Sequence, residues 1–451
     1  MMKGHSAKTT AREDSWLPAR LIPTSGIKGA DERERRATSA LLSVMTAVPE
    51  FAQSLLKRTG APAGKLKAYI ETPFETRDGA KVRPDGAIII RRGSKEWKAF
   101  VEVKTGGNTL ELKQVEDYLD LARDEGFDAV ITISNEMNTA VDDHPLPVSK
   151  SKTKRVDLHH YSWVAITTAA LIQHEFRGVS DPDQAWILGE LIAYLENPQS
   201  GAMEFTDMGP HWVHVREGAR EGSLRPGEEG VADVITRWEQ FLQYLSLSLS
   251  RRLGVRVKQV LSRRETDPAA RRLALTDLLL ESGDLSGTLR VQNAAGDITL
   301  VASLKARTVT VSVDVAAPEE GQPQTRINWL IRQLQDAPGD ARIEAWYKRE
   351  RYPVTARLSD VRENGRLLRA SDSTKGARSF VVAHTGEMGT KRSGTKGSFT
   401  AQASSLVQEF YRDVVERLHS WAPRAPKLRQ TKDEESADTA HEHTTEEAPI
   451  R

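Results

Sequence analysis

Apolar residues recur along the first half of the chain with two periods that alternate. From Asp31 onward, Leu41, Val44, Met45 and Val48 return at three- and four-residue steps, which predicts a helix that Pro49 ends or kinks. A second short helix is expected from Phe51 to Leu56, and Gly60 to Gly64, with Pro62 between them, reads as a loop. Then the period shortens. A strand is expected around Leu66–Glu71, a turn at Arg77-Asp78-Gly79, and an apolar run, Ala87-Ile88-Ile89-Ile90, just after Asp85. Arg92-Gly93-Ser94 breaks that run, and Trp97–Lys104 reads as the returning strand. Beyond Gly106-Gly107, Asn108 or Thr109 is placed to cap a helix carrying Leu112, Val115, Leu119 and Ala122 on one face. Ala129–Ser134 reads as a buried strand and Val156–His160 as another. A helix follows over Trp163–Glu175, with Ser162 as its cap and Trp163 as a core anchor, and residues 183–195 supply one more. This order predicts an α/β fold, a mixed sheet flanked by helices.

The second half reads differently. Residues 215–230 are rich in Gly, Arg and Glu, so 201–230 is expected to be a linker. A long helix starts near Val231 with Val234, Trp238, Phe241, Leu245 and Leu249 on one face. Ser286–Val291, Ile298–Leu304 and Thr308–Val315 then alternate apolar and polar residues. Ile327–Leu334 returns to helix, residues 340–400 mix short strands with Gly- and Ser-rich loops, and 402–419 closes with a helix. The expected division is a mobile arm over 1–26, an α/β domain over 27–200, the linker, an α+β domain rich in antiparallel strands over 231–422, and a disordered acidic tail over 423–451.

Composition narrows the chemistry. A chain of 451 residues suggests two or three domains, and 38% hydrophobic with 28% charged residues suits globular units. The net charge is +1, so any nucleic-acid surface must be local. With no cysteine, disulfides, thiolate metal sites and cysteine nucleophiles are excluded. The polar, basic first twenty residues do not read as a signal peptide, and no apolar run approaches the roughly 20 residues of a membrane helix. The expected location is cytoplasmic.

The hairpin around Gly93-Ser94 carries the sharpest signal. A turn centred between those two residues sets Asp85 opposite Glu102, with Cβ atoms about 5 Å apart. Like charges so placed repel, and a divalent cation between them turns that penalty into a binding site. Two carboxylates and a backbone carbonyl, that of Val103, suit Mg²⁺, with Mn²⁺ able to substitute. Lys104 shares the face of Glu102, while Val101 and Val103 turn into the core. An ammonium there can position a water and balance charge on a phosphoryl group. Gly106 and Gly107 let a backbone come close.

Pro84-Asp85, an apolar strand, a tight turn and Phe100-Val101-Glu102-Val103-Lys104 together resemble the signature of the PD-(D/E)XK, or restriction-endonuclease-like, superfamily, over roughly residues 27–200. The resemblance implies that Asp85 and Glu102 bind the metal and that Lys104 assists the water. Many members add an acid from the first helix, for which Glu34 is the candidate and Glu32 the alternative. The exonuclease branch carries Gln-x-x-x-Tyr on the following helix, and Gln114 and Tyr118 match that spacing. The implied function is a Mg²⁺-dependent DNA endonuclease in restriction or defence against foreign DNA. A homodimer is plausible, because cutting both strands usually takes two active sites, and the C-terminal domain could select the target or bind a partner protein. Two alternatives stay open: a nuclease fold kept for binding DNA or protein, and a nuclease for RNA, junctions or repair.

Plainer readings exist for each residue. Glu102 and Lys104 alone read as an ion pair on an edge strand. Tyr118 reads as packing, and Glu34 as a surface ion pair in an Arg-rich segment. Glu71 reads as a strand-end salt bridge. His159-His160 reads as structural, since adjacent strand residues face opposite ways. Arg251, Arg252, Arg256, Lys258, Arg263 and Arg264 form one basic cluster. Lys375, Arg378, Lys391, Arg392 and Lys396 form another, in Gly/Ser loops that can wrap phosphates.

Overall fold

A computed structural model describes residues 16–18, 21, 30–76, 79, 81–140 and 143–423. The chain is a mixed α/β protein with two large sheets. The first sheet takes shape where the long apolar runs were read. Its strands are β1 (Leu17–Pro18), β2 (Lys65–Ile70), β5 (Gly86–Arg92), β6 (Lys95–Val103), β7 (Ala129–Ser134) and β8 (Asp157–Ser162), adjacent in that order. A separate small ribbon pairs β3 (Phe74–Glu75) with β4 (Lys81–Val82). Pairing is antiparallel from β1 to β6 and parallel from β6 through β7 to β8.

Helices cover both faces of this sheet. One face carries α1 (Ala30–Ala47), α2 (Pro49–Leu56), α4 (Trp163–Leu171) and α5 (Pro182–Glu196), which bury Leu41, Phe51, Trp163 and Leu191 against Ala99, Val101 and Val103. The other face carries α3 (Leu112–Glu125), packed on Ala87, Ile89 and Phe100. Burial on both sides explains why β5 and β7 are nearly unbroken apolar runs. Gly86 is needed where α1 crosses, because a Cβ there would meet Leu42 Cδ1 at 2.6 Å.

The second sheet is antiparallel throughout and lies between α7 (Val231–Leu253), α8 (Pro268–Ser282), α9 (Pro323–Gln333) and α11 (Phe399–Asp413). Its order is β14-β13-β15-β12-β11-β10-β9, formed by β9 (Val257–Gln259), β10 (Asp284–Val291), β11 (Ile298–Ser303), β12 (Thr308–Ala316), β13 (Arg342–Tyr347), β14 (Val354–Arg357) and β15 (Ala377–Glu387). Alternate burial along β11 and β12 is the period of two seen in the sequence.

Several expectations change. Residues 212–221, expected in the linker, form helix α6 (Trp212–Glu221), which buries Trp212, Val215 and Ala219 in the second core. Part of the expected mobile arm is docked: Trp16 packs on Tyr69 and Phe74, and Leu17 pairs with Ile70. Apolar contact there outweighs the polar character of the neighbouring sequence. Apart from Leu21, which is exposed, the rest of that arm, Arg77 and Asp78 of the expected turn, and the tail from 424 lie outside the described residues. Helix α3 begins after Glu111 with no side-chain cap, rather than at Asn108 or Thr109. The helix after Ser162 ends in a wider π-type turn over Ile172–Arg177. Among the described residues, no single helix is long and apolar enough to cross a membrane.

The halves touch at defined points. Helix α4 lies against α7, and Met137 of the first half is buried in the second core. Gln240 Nε2 donates to Met137 O at 2.9 Å, and Arg271 Nη2 meets Asp143 Oδ2 at 3.0 Å.

Candidate active site

The β5–β6 register decides the geometry. Gly86 pairs with Val101 and Arg92 with Lys95, so the turn is centred between Gly93 and Ser94 as the sequence implied. Asp85 stands one residue before β5 begins, and its Oδ2 accepts a hydrogen bond from Val103 N at 2.8 Å. The carboxylate thus occupies the ladder position that a further β5 carbonyl would take. Backbone N–H and C=O of one strand residue point to the same side. The Val103 carbonyl therefore also faces the Asp85 side, while Lys104 N donates to Ile133 O on β7 at 2.8 Å.

Glu102 and Lys104 lie on the α3 face of β6, two residues apart. Lys104 Nζ donates to Glu102 Oε1 at 2.7 Å. The Glu102 side chain is 1% exposed and that of Lys104 16%. The other Glu102 oxygen, Oε2, is buried and accepts no hydrogen bond. Leaving such an acceptor unpaired costs about 1–3 kcal/mol, and more for a charged group. Burial first, then the negative charge of Glu102, push the Asp85 carboxyl well above its ordinary range. Burial likewise raises Glu102, against the pull of Lys104. Burial alone would lower the Lys104 ammonium, but Glu102 foremost, with Asp85 and Glu34, raises it on balance. It stays charged.

Tyr118 joins this group from α3. It is 5% exposed, and its hydroxyl accepts from Gln114 Nε2 at 3.2 Å. Burial, and after it the charge of Glu102, raise its pKa, so the phenol keeps its proton. Gln114 and Tyr118 are therefore paired on one side of α3.

Glu34 approaches from α1. Its Oε1 accepts from Thr105 N at 3.1 Å and from Asn108 Nδ2 at 2.8 Å, so it braces the loop leaving β6, and its charge reaches Lys104. Glu32 pairs with Arg36, one helical turn away. Glu71 bonds Arg35 at 3.0 Å, as a strand-end salt bridge should, and its N–H donates to Asp85 O at 3.0 Å. Among the described residues, no three His, Cys, Asp or Glu side chains gather into a ready metal cage. The fit to a divalent ion rests instead on the unpaired Glu102 Oε2, the opposed Asp85 and the Val103 carbonyl.

No family model and no curated protein matches the chain.

Other neighbours support β6 and the loop after it through contacts that sequence spacing does not announce. The Trp163 indole, read as a core anchor, also donates to Lys104 O at 2.9 Å. Asn135 Nδ2 donates to Gly106 O at 3.0 Å and to Gly201 O at 2.8 Å, and Gly106 N also donates to Gly201 O. A Cβ on Gly201 would lie 2.7 Å from Arg33 Cδ and 2.9 Å from Thr105 Cβ, so only glycine fits there. The nearest of these side chains, Asn135, lies 29 positions from Gly106, and Trp163 lies 59 positions from Lys104.

His160 is buried among Thr132 Oγ1 at 2.9 Å and Glu136 O at 2.8 Å, a structural placement. In the basic clusters, Arg251 is held by Glu196 and Arg392 by Asp207.

Proposed function

We propose that the protein is a Mg²⁺-dependent deoxyribonuclease with a restriction-endonuclease-like catalytic unit, hydrolysing phosphodiester bonds of DNA as an endonuclease. One observation carries the reading: a buried carboxylate oxygen, Glu102 Oε2, has no donor, and it belongs to a pair of carboxylates with an ammonium 2.7 Å from its partner oxygen. Asp85, Glu102 and the Val103 carbonyl would hold Mg²⁺, or Mn²⁺ in its place. The ion supplies Lewis acidity and a more acidic bound water. Lys104 orients the attacking water and offsets charge growing on the phosphoryl oxygens. Tyr118, kept protonated, offers a donor from the α3 side, and Gln114 steadies it. Trp163 fixes the backbone that carries Lys104. A role in cytoplasmic restriction or defence against foreign DNA is fold-level analogy.

The test is incubation of purified protein with supercoiled plasmid and Mg²⁺. Nicking or linearisation is expected, abolished by EDTA and reduced at least ~100-fold by Lys104→Ala. Cleavage that survives both treatments sinks the mechanism.

A second reading is a nuclease fold retained for docking DNA, with weak or conditional cleavage. The lack of a third acidic ligand among the described residues favours it. Tight DNA binding that is indifferent to Mg²⁺ and to Asp85→Ala would select this reading.

A further inference from the structure

The β13–β14 hairpin lies at the free edge of the second sheet. The opposite edge, β9 and β10, packs on α7, the helix that also meets α4 of the first half. Across seven strands at ordinary spacing the hairpin stands roughly 29 Å from that edge. It therefore lies at the end of the sheet far from the edge that packs on α7.

Its tip is unusual in three respects. Tyr352 is 71% exposed, the most exposed large apolar side chain among the described residues, and the Arg351 guanidinium sits 5.3 Å from its ring centre. Arg349 adopts a left-handed backbone, φ 65°, where glycine is the easy choice. The tip itself is also mainly basic. Lys348, Arg349 and Arg351 on the tip, with Arg366 and Arg378 beside it, are exposed and make no ion pair with the described residues. Glu350 and Asp372 interrupt them, with Glu363 near Arg366 and Glu319 and Glu320 near Arg378, and Glu350 is already bound to Lys375 at 2.6 Å. That bond, with the Tyr347 hydroxyl donating to Leu368 O, holds the segment from 366 to 378 against the hairpin. Leu367, 46% exposed, adds apolar surface to the same end.

Unpaired cations beside an exposed aromatic ring fit a polyanion that also presents flat π-faces. We propose that this hairpin tip is a DNA-docking surface, with Arg349 and Arg351 meeting phosphates and Tyr352 stacking on an unpaired base. It rests on the reading of DNA as substrate and gives the second half a role in it. Single strands, or duplexes opened at a base, expose the face that Tyr352 needs. Phosphate contacts supply affinity that falls with salt.

The experiment measures binding of fluorescent 40-nucleotide single- and double-stranded DNA by full-length Lys104→Ala protein without divalent metal. The double variant Arg349→Glu/Arg351→Glu is expected to bind at least ~10-fold more weakly, with a salt slope shallower by about 1.4 on single strands. Tyr352→Ala is expected to lose at least ~5-fold on single strands and much less on duplex, while Tyr352→Phe keeps the affinity. Because these side chains are exposed, melting temperatures stay in place. DNA binding within twofold of the parent in the arginine double variant overturns the surface. A Tyr352→Ala affinity within twofold on single strands overturns the stacking contact. No DNA binding by the parent, and no cleavage by the wild type, overturns the nuclease reading along with it. Plasmid cleavage with an inert hairpin overturns this inference alone.

Discussion

Two buried ionic clusters occupy the two halves of the chain, and they follow opposite rules. In the second half, Arg271 and Glu239 are 4% and 1% exposed, and every polar atom of their side chains has a partner, one of them Asp143 from the first half. Arg271 reaches Glu239 through Nε, Glu265 O through Nη1 at 2.9 Å and Asp143 through Nη2, while Arg272 closes the second Glu239 oxygen at 3.2 Å. In the first half, Asp85 and Glu102 oppose each other, and Glu102 Oε2 is left open. The first kind of cluster is closed on itself and serves the fold. The second is offset only in part by Lys104, and Asp85 meets the remaining cost by favouring its neutral form, as a buried carboxylate pair must when no cation lies between its members.

That contrast can be broken most forcefully from the closed side. Glu239→Ala leaves Arg271 buried without its main partner and should cost about 3–5 kcal/mol, read by urea unfolding. A loss under about 1 kcal/mol would show that the cluster is not what holds α7 to α8.

The histidines offer the next sharpest probe. Burial holds His160 down to about 3 and His144 down to about 4. Below pH ~6.5 the unfolded chain takes up protons at these positions while the folded one does not, so the unfolded state binds more protons. Stability is present above the unfolded pKa and is lost as the pH falls from about 6.5 towards 4. Each histidine contributes a loss on the order of 3 kcal/mol between pH 7 and pH 4, so the profile of His160→Gln is expected to be visibly flatter than that of the parent.

Trp163→Phe keeps the aromatic core and removes one N–H from Lys104 O. Turnover on plasmid should fall about 10-fold, near 1.4 kcal/mol, with little change in DNA affinity. Equal losses in both would make Trp163 a packing residue only.

The smallest effect has the unexpected sign. Asp85→Asn removes one of two opposed charges and keeps an acceptor for Val103 N. In EDTA at pH 7 it should raise stability by about 1 kcal/mol, because the folded state disfavours the ionised Asp85. Destabilisation instead would mean that the pair is structural.

Much of the site was legible because hairpin pairing is local. The Gly93-Ser94 turn fixes which residues face each other across β5 and β6, and alternation fixes which side Glu102 and Lys104 take. Ser162 caps α4 through Ala165 N, again a contact over three residues. What stayed hidden depends on distance along the chain. Glu34 finds Thr105 and Asn108 more than seventy positions away, and nothing in its own segment says so. Helix α6 was masked by its Gly- and Arg-rich surroundings, although Trp212, Val215 and Ala219 carry the helical spacing. Its stability comes from a core built largely by residues after 230.

The side-chain amide of Asn135 grips Gly106 and Gly201 at once, one just past Lys104 and the other at the start of the crossing into the second half. Those two peptides are thus buckled together, so a shift at residue 201 is felt in the loop that follows Lys104. Pulling residue 201 backward by the width of a single hydrogen bond would unfasten that loop, which ties the position of the Lys104 ammonium to the segment leading into the second half.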